Sequence, residues 1–82
     1  MYKVYILYSS KYKKIYIGYT SDIDNRIISH NEKGSGWTKG YRPWTIVYTE
    51  ELETKQEAVV REKQLKIAKG REWIWNEIIL KL

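Results

Sequence analysis

The sequence predicts a small mixed α+β domain with its elements in the order β-β-α-β-α-α. Two runs rich in β-branched and aromatic residues open the chain, and a third follows its single proline. The segments between and after these runs carry helix-start signals and helical spacing of apolar residues. With 82 residues the chain can support one core, so the expected domain spans 1–82.

The first run, Tyr2-Lys3-Val4-Tyr5-Ile6-Leu7-Tyr8, and the second, Ile15-Tyr16-Ile17-Gly18-Tyr19, flank a polar turn and read as a hairpin. Alternation places Tyr5 on the face of Lys3 and Leu7, and Tyr16 on the face of Gly18. With the turn centred near Lys11 to Lys13, Tyr5 lies opposite either Tyr16 or Gly18, and the two phenols are neighbours in both registers.

Ser21-Asp22-Ile23-Asp24 opens a helix, with Ser21 as the expected cap and Gly34 beyond its last turn. Ile23 and Ile27 mark its buried stripe, and Arg26 and His30 fall beside that stripe. A basic, aromatic loop over 34–42 leads to Pro43 and a third strand, Trp44 to Thr49. Thr54 and Glu57 form a capping box for a long helix that is expected to reach about Lys69 and stop at Gly70. Ala58, Glu62 and Leu65 share one face of that helix, with Val60 and Ile67 opposite. The expected arrangement is a helix sandwiched between the sheet and a final packing helix, Arg71 to Leu82.

Composition excludes several chemistries. There is no cysteine and only one histidine, which removes disulfides, thiolate zinc sites, iron–sulfur clusters, a cysteine nucleophile and a histidine-based metal site. The apolar run Val4 to Tyr8 is too short for a signal-peptide core or a membrane span, so a soluble, cytoplasmic protein is expected. Residues 1–49 hold eight basic and three acidic side chains, while residues 50–82 hold seven of each. The entire net charge of +5 therefore lies in the first part. Eight Tyr and four Trp accompany it without any Phe, a combination suited to phosphates and exposed bases.

Taken singly, the candidate residues are ambiguous. Tyr5 and Tyr16 can be ordinary strand tyrosines, and Arg26 with His30 can be a solvated arginine beside a capping histidine. Glu62, on an apolar helix face, needs Arg61, an incoming lysine or a bound cation as partner.

The ordered set resembles a known family. Val4-Tyr5, ten intervening residues, Tyr16-Ile17-Gly18, then Arg26, His30 and Glu62 resemble the GIY-YIG endonuclease domain, and Thr38 to Trp44 with Val47-Tyr48 is similar to its small stand-alone members. The first triplet departs from the family name, reading Lys3-Val4-Tyr5, but keeps its tyrosine. A later family asparagine is matched to Asn76. The resemblance implies a three-stranded antiparallel sheet flanked by helices and hydrolysis of DNA phosphodiesters with Mg²⁺ or Mn²⁺. Kinship with the nuclease part of the excision-repair C subunit points to DNA repair or recombination.

Roles follow from side-chain chemistry within that resemblance. Arg26 meets phosphate charge, Glu62 holds the metal, and Tyr16 orients water or phosphate. Tyr5 acts as base or proton relay, its pKa expected to be lowered by Arg26 and the metal, with His30 accepting the proton. Lys33, Trp37, Lys39, Tyr41 and Arg42 are the expected DNA contacts, and a targeting protein is a further expected partner. Two rival readings are a non-cutting nucleic-acid-binding module on the same scaffold and a protein-interaction domain with a basic face.

Overall fold

Strand β1 (Tyr2–Ser9) is the centre of a three-stranded sheet in the order β2-β1-β3. The computed structural model describes residues 1–33 and 36–82, and the side chains of 1–32 and 38–82. Val4, Tyr5, Ile6 and Leu7 are all buried, because both faces of the central strand are covered. Strand β2 (Lys14–Thr20) pairs antiparallel with β1, with Tyr5 opposite Gly18 and Leu7 opposite Tyr16. Of the two expected registers, the shifted one forms. Strand β3 (Thr45–Leu52) pairs antiparallel on the other side, and its register shifts between Ile6 and Leu7. The extra residue of this bulge, Val47, packs with the helix-side core. This strand starts after Trp44 and runs three residues past Thr49.

The even positions of β1 and the odd positions of β2 face helices α2 (Lys55–Lys66) and α3 (Ala68–Glu77). Val4, Ile6, Ile15 and Ile17 pack there with Ala58, Leu65, Ile74 and Ile79. Each such fully buried aliphatic side chain contributes about 1.5–3 kcal/mol of transfer free energy. The opposite face holds Tyr5, Leu7 and Trp44, covered by Tyr16, Tyr41 and two isoleucines of the short helix α1 (Ile23–Ile28).

Three local expectations are corrected. Asp22, not Ser21, caps α1, because its carboxylate accepts the Asn25 amide at 3.3 Å and the Asn25 side chain at 2.7 Å. The long helix ends at Lys66, where Ile67 turns extended (ψ 166°), and Gly70 lies inside the first turns of α3. A Cβ at Gly70 would collide with the Gln64 carbonyl and come within 2.7 Å of the Leu65 backbone, so this glycine permits a close helix approach. Finally, α2 is not sandwiched. Val60 and Ile67 are 51% and 59% exposed, because α3 lies beside α2 on the same sheet face, with Tyr8 against Trp75 and Tyr48 against Trp73.

Candidate active site

The site is built on the face of the sheet that α1 covers. Tyr5 leaves the central strand toward Gly18, and a Cβ at Gly18 would lie 2.6 Å from the Tyr5 hydroxyl and 3.0 Å from the Tyr16 ring. Only glycine at that position lets the phenol lie across β2. The hydroxyl of Tyr5 accepts from Arg26 Nε at 3.4 Å and lies 3.1 Å from His30 Nε2. Arginine only donates, so the phenol oxygen accepts from Arg26; in the Nδ1-protonated tautomer of His30, Nε2 is the acceptor for the phenol's own proton.

His30 stands on a π-helical turn, Ser29–Lys33, that continues α1. The residue is buried, and its ring lies 4.6 Å from the Tyr16 ring and 6.0 Å from the Tyr5 ring between centroids. Arg42 Nε donates to the His30 carbonyl at 3.1 Å, and the Asn31 side chain clamps both backbone groups of Trp44, accepting from its N–H at 2.6 Å and donating to its C=O at 3.0 Å. Trp44 Nε1 donates to the Thr38 carbonyl at 2.9 Å, completing the brace. The turn that carries His30 is therefore fastened to the start of β3.

Tyr5, Tyr16, Gly18, Tyr19, Thr20, Arg26 and Glu62 line one open depression of about 300 Å³. Glu62 reaches it from α2, where its Oε1 accepts from Lys66 Nζ at 2.8 Å, one turn along the helix. Of the partners open to Glu62, the lysine is the one present, since Arg61 turns to Glu50 at 3.0 Å.

Arg26 alone does not produce the lowering expected for the Tyr5 pKa. Burial raises the Tyr5 pKa above the ordinary phenol range, and the Arg26 hydrogen bond pulls it down without prevailing. The phenol therefore stays protonated at neutral pH. Burial, with the nearby Arg26 charge, lowers the His30 pKa and keeps the imidazole neutral, which suits it to accept a proton. Arg26 itself is exposed, and its hydrogen bond to Tyr5 raises its pKa further.

Residues 1–76 match a family described as the GIY-YIG catalytic domain. The chain belongs to the GIY-YIG family. This membership places it in a nuclease superfamily. It is 47% identical over 53 residues to a UPF0213 protein of Staphylococcus saprophyticus, a match covering 63% of this chain and 65% of that relative. A UPF0213 protein of Halobacterium salinarum is 37% identical over 67 residues, covering 80% and 86% of the two chains. The solution NMR structure of a UPF0213 protein from Bacillus halodurans is 36% identical with a TM-score of 0.53, covering 90% of this chain and 82% of that one.

Within this GIY-YIG domain, four of the five expected site residues line the depression and the fifth, His30, meets Tyr5 beneath it. Asn76 is not with them. It is exposed on α3, lining a separate surface dip with Lys69, Glu72, Trp73 and Glu77. Among the expected DNA contacts, Lys39 is exposed, Tyr41 is half-buried, and half-buried Arg42 braces the His30 carbonyl. The side chains of Lys33 and Trp37, and loop residues Gly34 and Ser35, lie outside the described residues. The sequence reading missed Asn31, whose brace has no periodic signal, and Thr20, which alternation from Tyr16 and Gly18 places on the site face.

Proposed function

We propose that residues 1–82 act as one divalent-metal-dependent endonuclease domain that hydrolyses DNA phosphodiesters. The observation that carries this reading is the Arg26-Tyr5-His30 hydrogen-bond chain, opening on a depression shared with Tyr16 and Glu62. The exposed Arg26 guanidinium meets a non-bridging phosphate oxygen and offsets charge that develops there. Tyr5 accepts a proton from the attacking water while passing its own to neutral His30 Nε2. This relay moves one proton from water to imidazole and never requires a free phenolate, which removes the conflict with the raised Tyr5 pKa. Tyr16, beside both groups, orients the phosphate.

The donor set around the depression fits a hard divalent ion. Glu62 is the one carboxylate on it, with hydroxyl-bearing Tyr16, Tyr19 and Thr20 alongside, and Mg²⁺ or Mn²⁺ needs only one or two carboxylates when water and phosphate complete its shell. Bound there, the ion supplies positive charge against the phosphate oxygens. Among the described residues there is no cluster of three or more acidic or histidine side chains that would hold it otherwise. No helix among the described residues is long and apolar enough to cross a membrane; the proposed setting is cytoplasmic, in repair or recombination.

The test is incubation with branched, nicked and linear DNA in Mg²⁺ or chelator. Wild type cuts in Mg²⁺ only. Tyr5→Phe keeps the ring, folds and binds DNA, and its single-turnover cleavage falls by roughly 10²-fold or more, in line with loss of a positioned acid–base group. DNA binding with no cutting of any substrate would instead establish the binding-module reading.

A further inference from the structure

A second cluster on the same face joins the expected DNA contact Tyr41 to three residues with no role assigned so far. Lys14, Tyr16 and Gly18 alternate onto one face of β2, and the last two line the depression. Lys14 is thus the next side chain toward the hairpin turn, about 7 Å along the strand from Tyr16. That separation is on the scale of one nucleotide in an extended strand.

The turn itself, Ser10 to Lys13, presents an exposed Lys11, Tyr12 and Lys13, and residues 1–21 contain no acidic side chain. Tyr12 is 41% exposed, an unusual position for a large ring with no core to join. It is held at 78° to Tyr41 with ring centroids 5.5 Å apart, and Tyr41 packs on the Tyr5-Leu7-Trp44 cluster. Each ring has its own ammonium group. Lys11 Nζ stands 5.4 Å from the Tyr12 centroid and Lys14 Nζ 5.8 Å from the Tyr41 centroid.

We propose that Tyr12 and Tyr41, with Lys11 and Lys14, form a subsite for an unpaired nucleotide adjacent to the scissile phosphate, so that the favoured DNA is single-stranded at the cut. An aromatic surface paired with a cation matches the two halves of a nucleotide, base and phosphate. A duplex offers the phosphates but hides its base faces in the stack, and an acidic peptide offers charge without an aromatic plane. The cluster therefore recognises more than charge. This inference rests on the nucleic-acid reading of the depression and narrows its substrate class.

The test is fluorescence anisotropy in chelator, titrating an end-labelled oligonucleotide as a single strand and as a blunt duplex. Tyr12→Ala weakens single-strand binding by roughly 10-fold, the range of one lost base stack, and duplex binding by less than about twofold. Tyr12→Phe keeps the ring and restores single-strand affinity. Lys11→Gln with Lys14→Gln weakens both ligands and lowers the salt dependence for both. Equal losses on strand and duplex, an unaltered single-strand affinity in Tyr12→Ala, or a polyglutamate probe bound with the same Tyr12 dependence would overturn the subsite. Failure of the nuclease reading looks different: Tyr12-dependent strand binding with no cutting keeps the subsite and removes the enzyme, whereas cutting with an indifferent Tyr12 does the reverse.

Discussion

Burial and one arginine set the protonation states at the site. Because the folded His30 resists protonation, its pKa lies below that of the unfolded chain. Above about pH 6.5 neither state carries the proton, so the full stability is present; as pH falls below that, the unfolded chain takes up the proton first and stability is lost until the folded value is passed. The stability advantage of wild type over His30→Gln, read by urea denaturation between pH 7.5 and 5.5, is expected to shrink toward acid. A constant difference would mean that His30 is not held neutral. Glu62 poses the opposite question, whether its charge serves the fold or the chemistry. Its partner Lys66 is 49% exposed, so Glu62→Gln strands a solvated cation and removes a surface pair of about 0.3–0.5 kcal/mol. Cutting should vanish while DNA binding holds or tightens and the melting midpoint moves by no more than about 4 °C. A large fall in midpoint, or cutting that survives, refutes the metal role.

At the level of elements, the two glycines that matter work by absence. Gly18 admits the Tyr5 ring, and Gly70 admits the C-terminal end of α2. Gly70→Ala is a useful contest of effects, since alanine gains up to about 1 kcal/mol of helix propensity over glycine. The added methyl group meets backbone of Gln64 and Leu65 rather than a movable side chain, so sterics win. Overpacking of this kind costs about 1–3 kcal/mol, and a midpoint lowered by several degrees is expected from a thermal melt. An unchanged or raised midpoint would show that the α2–α3 junction opens without cost. The same junction explains why the sequence places the break three residues late: a glycine after a periodic run reads as a stop, and nothing at Ile67 signals that the second helix begins before Gly70.

Over the whole molecule, charge is segregated along the chain: the hairpin turn carries exposed Lys11 and Lys13, and the 3₁₀ segment Gly36–Tyr41 carries exposed Lys39. Binding of duplex DNA is expected to be mainly electrostatic, with a log–log salt slope on the order of −3 to −5. Lys39→Gln removes an exposed cation from that segment and flattens the slope by about 1. Lys81→Gln, which removes a lysine 2.7 Å from Glu77 in the balanced part of the chain, leaves it unchanged. A slope insensitive to Lys39 would move the footprint elsewhere. Arg42 is unsuited to this test, because replacing it also releases the His30 carbonyl.

The sequence by itself determined the order of the elements, the hairpin, the capping box at Thr54 and Glu57, and the candidates Tyr5, Tyr16, Arg26, His30 and Glu62. Those depend on local signals: β-branched runs, cap chemistry, and residue types whose spacing resembles a nuclease motif. Which hairpin register forms, and hence that Gly18 rather than Tyr16 faces Tyr5, was decided by the turn geometry and by room for one phenol. The side of α2 left to solvent was decided by where α3 packs. The protonation states were decided by burial, a property of the assembled fold that alternation and spacing do not carry. Tertiary structure thus placed the Tyr5 phenol, its pKa raised by burial, within hydrogen-bond distance of a neutral His30.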